Sequence, residues 1–239
     1  MFVDYFKGWY RFYKMRKLYC TGSRYPFYAL AGKYLPENKK AFILDIGSGS
    51  GKFERQLGLK DRYENLFLLD GNENTVQNLK KEYSNVLLYK AGTQLPFKEK
   101  TIDYIHSSHL IEHLDRDDFY GFLQQINSVL MVGGVAVISS PLLWSRFYND
   151  LSHVRPYNPS ILYNYLCSKT DSPTRQPISG NYKVENIVYR YRIDDFDEGW
   201  GSNLIILDLL IYLTKKVLYR LGLRKYVKTG YTIVLRKQR

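Results

Sequence analysis

The chain has 239 residues and a formal net charge of +12, which fits one domain with additions and is long enough to bury a sizeable core. Its two cysteines, Cys20 and Cys167, lie far apart and lack metal-ligand spacing, so neither a disulfide scaffold nor a zinc module is expected. Charged residues interrupt the first apolar stretch, so the sequence predicts no secretory signal peptide and a cytoplasmic protein.

Positive charge is concentrated at the two ends of the chain. Residues 1–40 carry +7, residues 209–239 carry +9 and the residues between them carry −4. Basic segments that also carry aromatic side chains can meet phosphate in a nucleic acid, in anionic lipid or in a phosphate-linked substrate. The charge pattern makes an anionic membrane surface a candidate partner and does not by itself exclude nucleic acid.

Residues 1–36 are predicted to form a basic aromatic helix over about Tyr5 to Tyr19, followed by a looser segment that ends near Pro36. The helix could form a lid over a cofactor, lie on a membrane or pack against the edge of a sheet. Residues 37–239 are predicted to form the main domain.

A strand-length apolar run leads into three glycines at alternate positions between Ala41 and Phe53. This order predicts a buried strand, a sharp turn and the start of a helix. Glycine accepts positive φ and has no side chain, so the backbone of such a turn can approach a small molecule closely. The Gly-x-Gly-x-Gly spacing differs from that of nicotinamide and flavin proteins, and an acid, Asp45, precedes the first glycine by two residues. A different nucleotide ligand is therefore predicted.

A second acid, Asp70, closes the apolar run of residues 66–69. At the end of the second strand of a doubly wound sheet, its carboxylate could accept both hydroxyls of a ribose. With these motifs the chain resembles the class I S-adenosylmethionine-dependent methyltransferases. The resemblance implies that S-adenosyl-L-methionine is the cofactor and that it is bound by Asp45, Gly47, Ser48, Gly49, Gly51, Asp70 and Gly71.

The periodicity of the following residues predicts the remaining core elements. They are a helix over 72–83 capped by Asn72, strands over 85–89 and 102–106, a helix over 115–130 capped by Asp115, a turn at 131–134, strands over 135–140, 184–192 and 229–236, and a helix over about 160–168. The expected architecture is an α/β fold with a doubly wound, mostly parallel sheet of seven strands, the Rossmann-like methyltransferase fold. The resemblance makes its last strand antiparallel.

The loop after the third strand is similar to the adenine-binding loop of the family. Ala91 stands where the family usually has an acid, so adenine recognition is assigned to the backbone of Gly92 and Thr93. At the end of the fourth strand, Ser108 is placed at the cofactor and His109 near the transferred methyl group.

Residues 109–113 also spell His-x-x-Glu-His, a zinc-protease pattern that requires a helix and a distant third ligand. Here the pattern follows directly on a strand of a methyltransferase-like core. No metal is therefore predicted, and Glu112 and His113 are expected to pack and cap beneath the site.

Residues 150–157 resemble the Asp-x-x-His-Val-Arg-Pro-Tyr pattern of methyltransferases in bacterial surface-polysaccharide and lipopolysaccharide assembly. A loop after the fifth strand overhangs the carboxyl edge of the sheet, where the methyl acceptor would enter. His153 is the predicted base, and Arg155 the predicted ligand of a phosphate or carboxylate, with Asp150 and Tyr157 beside them. The alternative is that His153 and Arg155 only brace the loop.

Residues 169–181 are predicted to form a mobile loop, and a helical insertion is predicted at about 194–228, between the last two strands. Its main part, residues 203–221, is strongly apolar but carries Asp208, Lys215, Lys216 and Arg220. A charge near the bilayer centre costs about 2.5–3.5 kcal/mol, which argues against a spanning helix. A helix at the membrane interface, a helix that forms a homodimer and a helix that packs against the sheet all remain open.

Together these features predict an S-adenosylmethionine-dependent O-methyltransferase, peripheral at the inner face of the membrane. The predicted acceptor is a sugar hydroxyl or phosphate of a glycan or lipid-linked glycan. Because the sulfonium activates the methyl group, the protein has mainly to align donor and acceptor and remove a proton. Two alternatives are an RNA methyltransferase and a non-catalytic binding protein of the same fold. The first expects an Asn- or Asp-Pro-Pro-Tyr motif after the fourth strand, where this chain has Ser-Ser-His-Leu.

Overall fold

The computed structural model describes residues 2–168, 175–194 and 202–239. Its strands are β1 (Phe42–Ile46), β2 (Asn65–Asp70), β3 (Val86–Leu88), β4 (Ile102–Ser108), β5 (Leu130–Pro141), β6 (Tyr182–Asp194) and β7 (Lys225–Lys237). They form one sheet in the order β3-β2-β1-β4-β5-β7-β6. Strands β1 to β5 pair in parallel, and β7 runs antiparallel between β5 and β6. The predicted doubly wound sheet with an antiparallel last strand is confirmed.

The α-helices of the described ranges are α1 (Phe2–Leu18), α2 (Tyr25–Gly32), α3 (Lys52–Leu57), α4 (Leu59–Arg62), α5 (Glu73–Leu79), α6 (Arg116–Val129), α7 (Pro159–Leu162) and α8 (Ile205–Arg220). Short 3-10 turns cover Ile111–His113 and Phe147–Asn149, and a wider π-helical turn, Tyr163–Cys167, continues α7. The helix predicted near residues 160–168 is therefore only partly α-helical.

The sheet is apolar on both faces because successive residues of a strand point in opposite directions. In β1, Leu44 and Ile46 join the core that contains the buried face of α6, whereas Ile43 joins the core under α2, α3 and α5. All three side chains are at most 1 % exposed. Since both faces are covered, the strands are accessible at their ends, which places a ligand site at the carboxyl edge.

Two predicted helix starts are confirmed. The side chain of Asn72 accepts a hydrogen bond from the backbone N–H of Thr75 (3.1 Å), and Asp115 caps α6 by accepting two backbone hydrogen bonds of 2.8 Å. Such caps stabilise a helix by about 1 kcal/mol each. The predicted helix ends were less accurate, since α5 ends at Leu79 rather than Tyr83.

The segment predicted to be loose before Pro36 contains α2, so that prediction was wrong. Its apolar sequence lacks the polar face of an amphipathic helix, whereas Pro26 fits the first turn of a helix. Tyr28 and Ala31 pack into the core of the sheet and Leu30 into a neighbouring cluster. Burial by the rest of the fold, rather than helical periodicity, stabilises α2.

The predicted turn at residues 131–134 is part of β5, which begins at Leu130. The pairing with β4 shifts register between Ile102 and Tyr104, and Gly133 has a φ of +86°. An irregular, bulged start of the strand explains why this segment resembles a turn in the sequence.

The predicted helix of the insertion is confirmed as α8, between β6 and β7, while both strands extend further into the insertion than predicted. None of its side chains is buried. Within the described ranges, no helix has the length and apolar character needed to cross a bilayer. Residues 169–174 of the predicted mobile loop and residues 195–201 of the insertion lie outside the described residues.

Candidate cofactor and acceptor site

The glycine loop after β1 adopts a backbone that other residues rarely tolerate. Gly47, Gly49 and Gly51 have φ angles of +78°, +54° and +70°. The N–H of Gly47 donates to the carbonyl of Leu69 (2.7 Å), which fixes the loop against the end of β2. A Cβ added to Gly47 would approach Leu110 within 3.2 Å, whereas one added to Gly49 would meet nothing within 4 Å. The side of the loop at Gly49 is therefore open to a ligand.

Asp70 lies at the end of β2, next to the same loop. Its Oδ2 atom accepts a hydrogen bond from the N–H of Gly49, and its Oδ1 from the N–H of Asn72, both at 2.9 Å. A carboxylate has about four lone-pair sites, so Asp70 can bind the loop and still accept hydrogen bonds from a ribose. The exposed Gly71 follows directly.

Beneath the glycine loop, Asp45 is 2 % exposed and contacts residues that the sequence analysis did not include. Its Oδ1 lies 2.7 Å from Nδ1 of His106, on the adjacent strand β4. The ring of His106 stacks on Phe53 at a centroid distance of 3.6 Å. Ser48 donates its hydroxyl to the carbonyl of Asp45 (3.0 Å). Asp45 thus supports the glycine loop from inside the protein, and its predicted role in cofactor binding stays a prediction.

Glu54, on α3, is a second fully buried carboxyl group beside Asp45. Burial, reinforced by the charge of Asp45, raises the pKa of Glu54 far above its ordinary value. Burial also raises the pKa of Asp45 and lowers that of His106. Glu54 is therefore protonated at neutral pH, and His106 is neutral.

We expect the buried proton of Glu54 to make folding pH-dependent. The unfolded chain releases this proton near the ordinary pKa of 4.5, whereas the folded chain keeps it. The free energy of unfolding should therefore fall as pH rises above that value, by up to about 1.4 kcal/mol per pH unit from this group. Glu54→Gln retains a neutral side chain of the same shape and should lose this part of the slope. Urea unfolding at about pH 6, 7 and 8 measures how the free energy of unfolding changes with pH in both proteins.

The control for this prediction is Glu64→Gln, the same chemical change at an exposed position. It should keep the wild-type slope. Equal slopes in wild type and Glu54→Gln would contradict the assignment of a buried proton to Glu54.

The predicted adenine loop is shaped by α6. Gly92 has a φ of +95°, and an added Cβ would lie 2.9 Å from the Cα of Asp118. Thr93 donates its hydroxyl to the carbonyl of Lys90 (2.7 Å). Close packing is thus one reason for glycine at position 92, and adenine binding by Gly92 and Thr93 stays a prediction.

At the carboxyl end of β4, the half-buried Ser108 leads into His109, whose φ of +57° is unusual for a residue with a side chain. Nδ1 of His109 lies 3.1 Å from Oε1 of the fully buried Glu112, and its Nε2 lies 3.4 Å from Nη1 of Arg190. Because a guanidinium only donates, Nε2 is an acceptor and Nδ1 carries the proton. Burial lowers the pKa of His109, so the ring is neutral. Strained backbone of this kind is concentrated at functional sites.

Arg190, on β6, is a site residue that sequence reasoning missed. Its guanidinium lies 4.5 Å from the centre of the Phe27 ring, and its Nε atom is buried without a hydrogen-bond partner among the described residues. Burial lowers its pKa to about 10. The residue lies in an alternating run of tyrosines and arginines, which by itself indicates only a strand.

The loop predicted to bind the acceptor lies on the turn Ile111–His113. His153 donates from Nδ1 to the carbonyl of Phe147 (2.7 Å), and His113 donates from Nδ1 to the carbonyl of Ser152 (2.9 Å). The N–H of Val154 donates to the carbonyl of Glu112 (2.8 Å). In addition to the packing predicted for them, Glu112 and His113 therefore hold the loop of residues 150–157 in place through these hydrogen bonds.

The predicted acceptor residues divide between two places. Nε2 of His153 faces Oδ2 of Asp150 at 3.9 Å. Tyr157 instead points into the protein, donating its hydroxyl to the carbonyl of Leu114 (3.1 Å), and Arg155 lies over the Tyr157 ring at 5.7 Å. These two side chains line a separate cavity of about 350 Å³ beside α6, together with Arg116, Phe119, Tyr120, Leu123, Ile161, Tyr165 and Arg175.

Residues 44–138, which include the glycine loop, Asp70 and His109, match the model of a family described as "Methyltransferase domain". An uncharacterized chloroplastic methyltransferase of Arabidopsis thaliana is 26% identical over 151 residues, or 58% of this chain. The alignment covers 42% of the plant protein, so the chain spans less than half the length of that curated relative.

Solved structures show the same fold. A structure described as an S-adenosylmethionine-dependent methyltransferase from Archaeoglobus fulgidus aligns over 95% of this chain and 100% of its own, with a TM-score of 0.58 and 22% identity. Phosphoethanolamine N-methyltransferase 2 of Haemonchus contortus, in complex with S-adenosyl-L-methionine, aligns over 88% of this chain and 52% of its own, with a TM-score of 0.52 and 16% identity.

The fold is that of the class I methyltransferases, and residues 44–138 match the model of a methyltransferase domain. S-adenosyl-L-methionine is the cofactor of this class, and the site fits it. The loop is open at Gly49, and the carboxylate of Asp70 lies beside it with acceptor capacity to spare.

Proposed function

We propose that the protein transfers a methyl group from S-adenosyl-L-methionine to an acceptor oxygen, and that it does so at an anionic membrane surface. The acceptor we propose is a sugar hydroxyl or phosphate of a glycan or lipid-linked glycan. The observation that supports the reaction class most strongly is the open glycine loop joined to Asp70 within a methyltransferase domain. The bound cofactor would supply the activated methyl group.

For removal of the acceptor proton, the geometry favours His109 over His153. His109 lies at the carboxyl end of β4, and its neutral ring has an unprotonated Nε2 while Nδ1 is oriented by the buried carboxylate of Glu112. This is the arrangement of a general base held by a carboxylate. Arg190, next to Nε2, could hold a negatively charged part of the acceptor.

The membrane proposal is supported by the exposure of α8. Its apolar side chains project into solvent on all sides, with Ile205 85 %, Ile206 73 % and Leu210 56 % exposed. Apolar surface of this extent usually marks an interaction site. The 209–239 segment, which contains most of α8, carries +9, so an anionic lipid surface complements both its apolar and its basic character.

The other basic segment approaches the same end of the sheet. The N–H of Tyr191, on β6, donates to the carbonyl of Tyr19 (2.9 Å), just after α1. The guanidinium of Arg16 lies 4.1 Å from the centre of the Tyr226 ring, on β7. Strands β6 and β7 are the two that α8 connects, so α1 ends close to the attachment of α8. Exposed aromatic side chains on α1, such as Trp9 and Phe12, would add to a shared membrane-binding surface.

Vesicle sedimentation tests this proposal. The protein is expected to sediment with phosphatidylserine-containing vesicles at low salt and more weakly with neutral ones. Added salt should weaken binding, because each basic residue contributes about 1 kcal/mol within a Debye length of the surface. The double variant Ile206→Ser/Leu210→Ser should lose the part of the binding that salt does not remove.

The control is Leu88→Ser, the same apolar-to-polar change at a leucine of similar exposure on β3, at the opposite edge of the sheet. Its binding should equal that of wild type. Absence of the wild-type protein from both pellets at low salt would contradict the membrane proposal. If the wild type instead dimerises with increasing concentration and the double variant does not, α8 is the interface of a homodimer.

A further inference from the structure

Three side chains of the metal-binding types meet where the loop of residues 150–157 lies on the turn Ile111–His113. Glu112, His113 and His153 each offer one ligand atom, and these atoms all lie within 4.8 Å of one another. Around a first-row metal ion about 2.0–2.2 Å from each nitrogen or oxygen, ligand atoms are separated by roughly 3–4 Å. Ligand atoms up to 4.8 Å apart would therefore have to approach one another by about 1–2 Å when an ion binds.

Both imidazoles are held in the tautomer that leaves the lone pair of Nε2 for a metal ion. Nδ1 of His113 is hydrogen-bonded to the carbonyl of Ser152, and Nδ1 of His153 to the carbonyl of Phe147. A carbonyl oxygen only accepts hydrogen bonds, so each ring carries its proton on Nδ1 and has a lone pair on Nε2. Metal-binding histidines in proteins characteristically donate their second ring N–H to a carbonyl or carboxylate in this way.

The carboxylate of Glu112 completes the set. It is fully buried, with Oε1 3.1 Å from Nδ1 of His109 and Oε2 accepting a hydrogen bond from the hydroxyl of Ser140 (3.2 Å). Oε1 has no hydrogen-bond partner among the described residues, so the carboxylate keeps capacity for a cation. Ligating carboxylates are commonly hydrogen-bonded in the same manner.

The backbone fixes the relative position of the two segments. The N–H groups of Val154 and Arg155 both donate to the carbonyl of Glu112, at 2.8 and 3.3 Å. The side chain of His153 is 16 % exposed, and Asp150 lies at its open side, so an ion could enter from solvent. The ligands are thus held close together before any ion binds.

We propose that Glu112, His113 and His153 bind one divalent transition-metal ion, with Zn²⁺ as the reference ion. Two imidazole nitrogens and one carboxylate oxygen form a ligand set that suits Zn²⁺ and its first-row neighbours. Three protein ligands leave one position of a tetrahedral site open to water or to an acceptor oxygen. No metal was predicted from residues 109–113 because they follow directly on a strand of a methyltransferase-like core. In the structure, the third candidate ligand comes from a loop forty residues further on. Metal binding at this site does not depend on the identity of the methyl acceptor.

The test uses tag-free protein treated with a chelator and then titrated with Zn²⁺ by calorimetry, with elemental analysis after dialysis. One ion per chain is expected. His113→Gln and His153→Gln should each weaken Zn²⁺ binding by at least about 100-fold, since loss of an outer partner alone typically costs 10- to 100-fold. Glu64→Gln, an exposed carboxylate elsewhere, should bind as wild type does.

Two further readouts keep the outcome unambiguous. Each protein is compared with its own metal-free form, and Zn²⁺ should raise the melting temperature of the wild type but not of the histidine variants. Affinity for S-adenosylmethionine, measured on the same samples, reports on the proposed function separately. No uptake of Zn²⁺ by the wild type, or equal uptake by both histidine variants, would overturn the metal site.

Discussion

His109→Asn is expected to lower turnover by about 10²–10⁴-fold, the range typical of a lost general base. Asparagine is the choice because it tolerates the left-handed backbone of this position better than most residues. The affinity for S-adenosylmethionine should change little, since the ring of His109 contacts Glu112 and Arg190 rather than the glycine loop. Methyl transfer from labelled cofactor to candidate glycan, lipid-linked and RNA acceptors, followed by mass spectrometry, provides both the acceptor and the rate.

The pH profile gives a second readout for His109. Because burial lowers its pKa below 6.5, the base is already deprotonated at neutral pH. Turnover should therefore be flat near pH 7 and fall on acidification. Loss of that acidic limb in the residual activity of His109→Asn would support a proton-transfer role.

His153→Gln is the comparison, since the sequence alone assigned the base to His153. If His153→Gln loses more turnover than His109→Asn without losing bound metal, the assignment to His109 is wrong. Metal content, measured on the same samples, distinguishes a lost ligand from a lost base. A simultaneous fall in turnover, cofactor affinity and melting temperature in His109→Asn would count against a specific catalytic role.

Asp70→Ala is expected to weaken S-adenosylmethionine binding by roughly 10- to 150-fold. The change removes charge-assisted hydrogen bonds worth about 1.5–3 kcal/mol, and it also removes the bond that holds the N–H of Gly49. Asp70→Asn keeps one acceptor oxygen without the charge and should bind with intermediate affinity. Isothermal titration calorimetry measures the affinity of wild type, Asp70→Ala and Asp70→Asn for S-adenosylmethionine.

Asp61→Ala serves as the control, because it removes an exposed carboxylate on α4 away from the loop. Its cofactor affinity and melting temperature should equal those of wild type. If the unmodified protein does not bind S-adenosylmethionine, or if Asp70→Ala binds as tightly as wild type, the cofactor site is not the one described.

The glycine loop and the position of Asp70 could be predicted because their signals are local. A buried strand followed by alternate glycines specifies a turn with positive φ, and those angles are present at Gly47, Gly49 and Gly51. Asp70 was predictable for a similar reason, because an acid is expected at the carboxyl end of the second strand of a doubly wound sheet. Helix starts at Asn72 and Asp115 were also predictable, because a cap bonds residues two or three positions away.

The acceptor half could not be predicted, because its contacts join residues far apart in sequence. Asp45 meets His106 only because β1 and β4 are neighbours in register, and Arg190 reaches His109 only because β7 and β6 extend the sheet beyond β5. Helix α2 was missed for a related reason, since other elements bury its apolar surface.

The fold class, the glycine loop and the position of Asp70 are predictable from the sequence alone, because each depends on residues close together in the chain. The packing of distant segments instead places Tyr157 and Arg155 in a separate cavity from His153 and brings His153 to Glu112 and His113. A motif fixes the order of its side chains along the chain, whereas their directions and partners depend on how distant strands and turns pack against the loop.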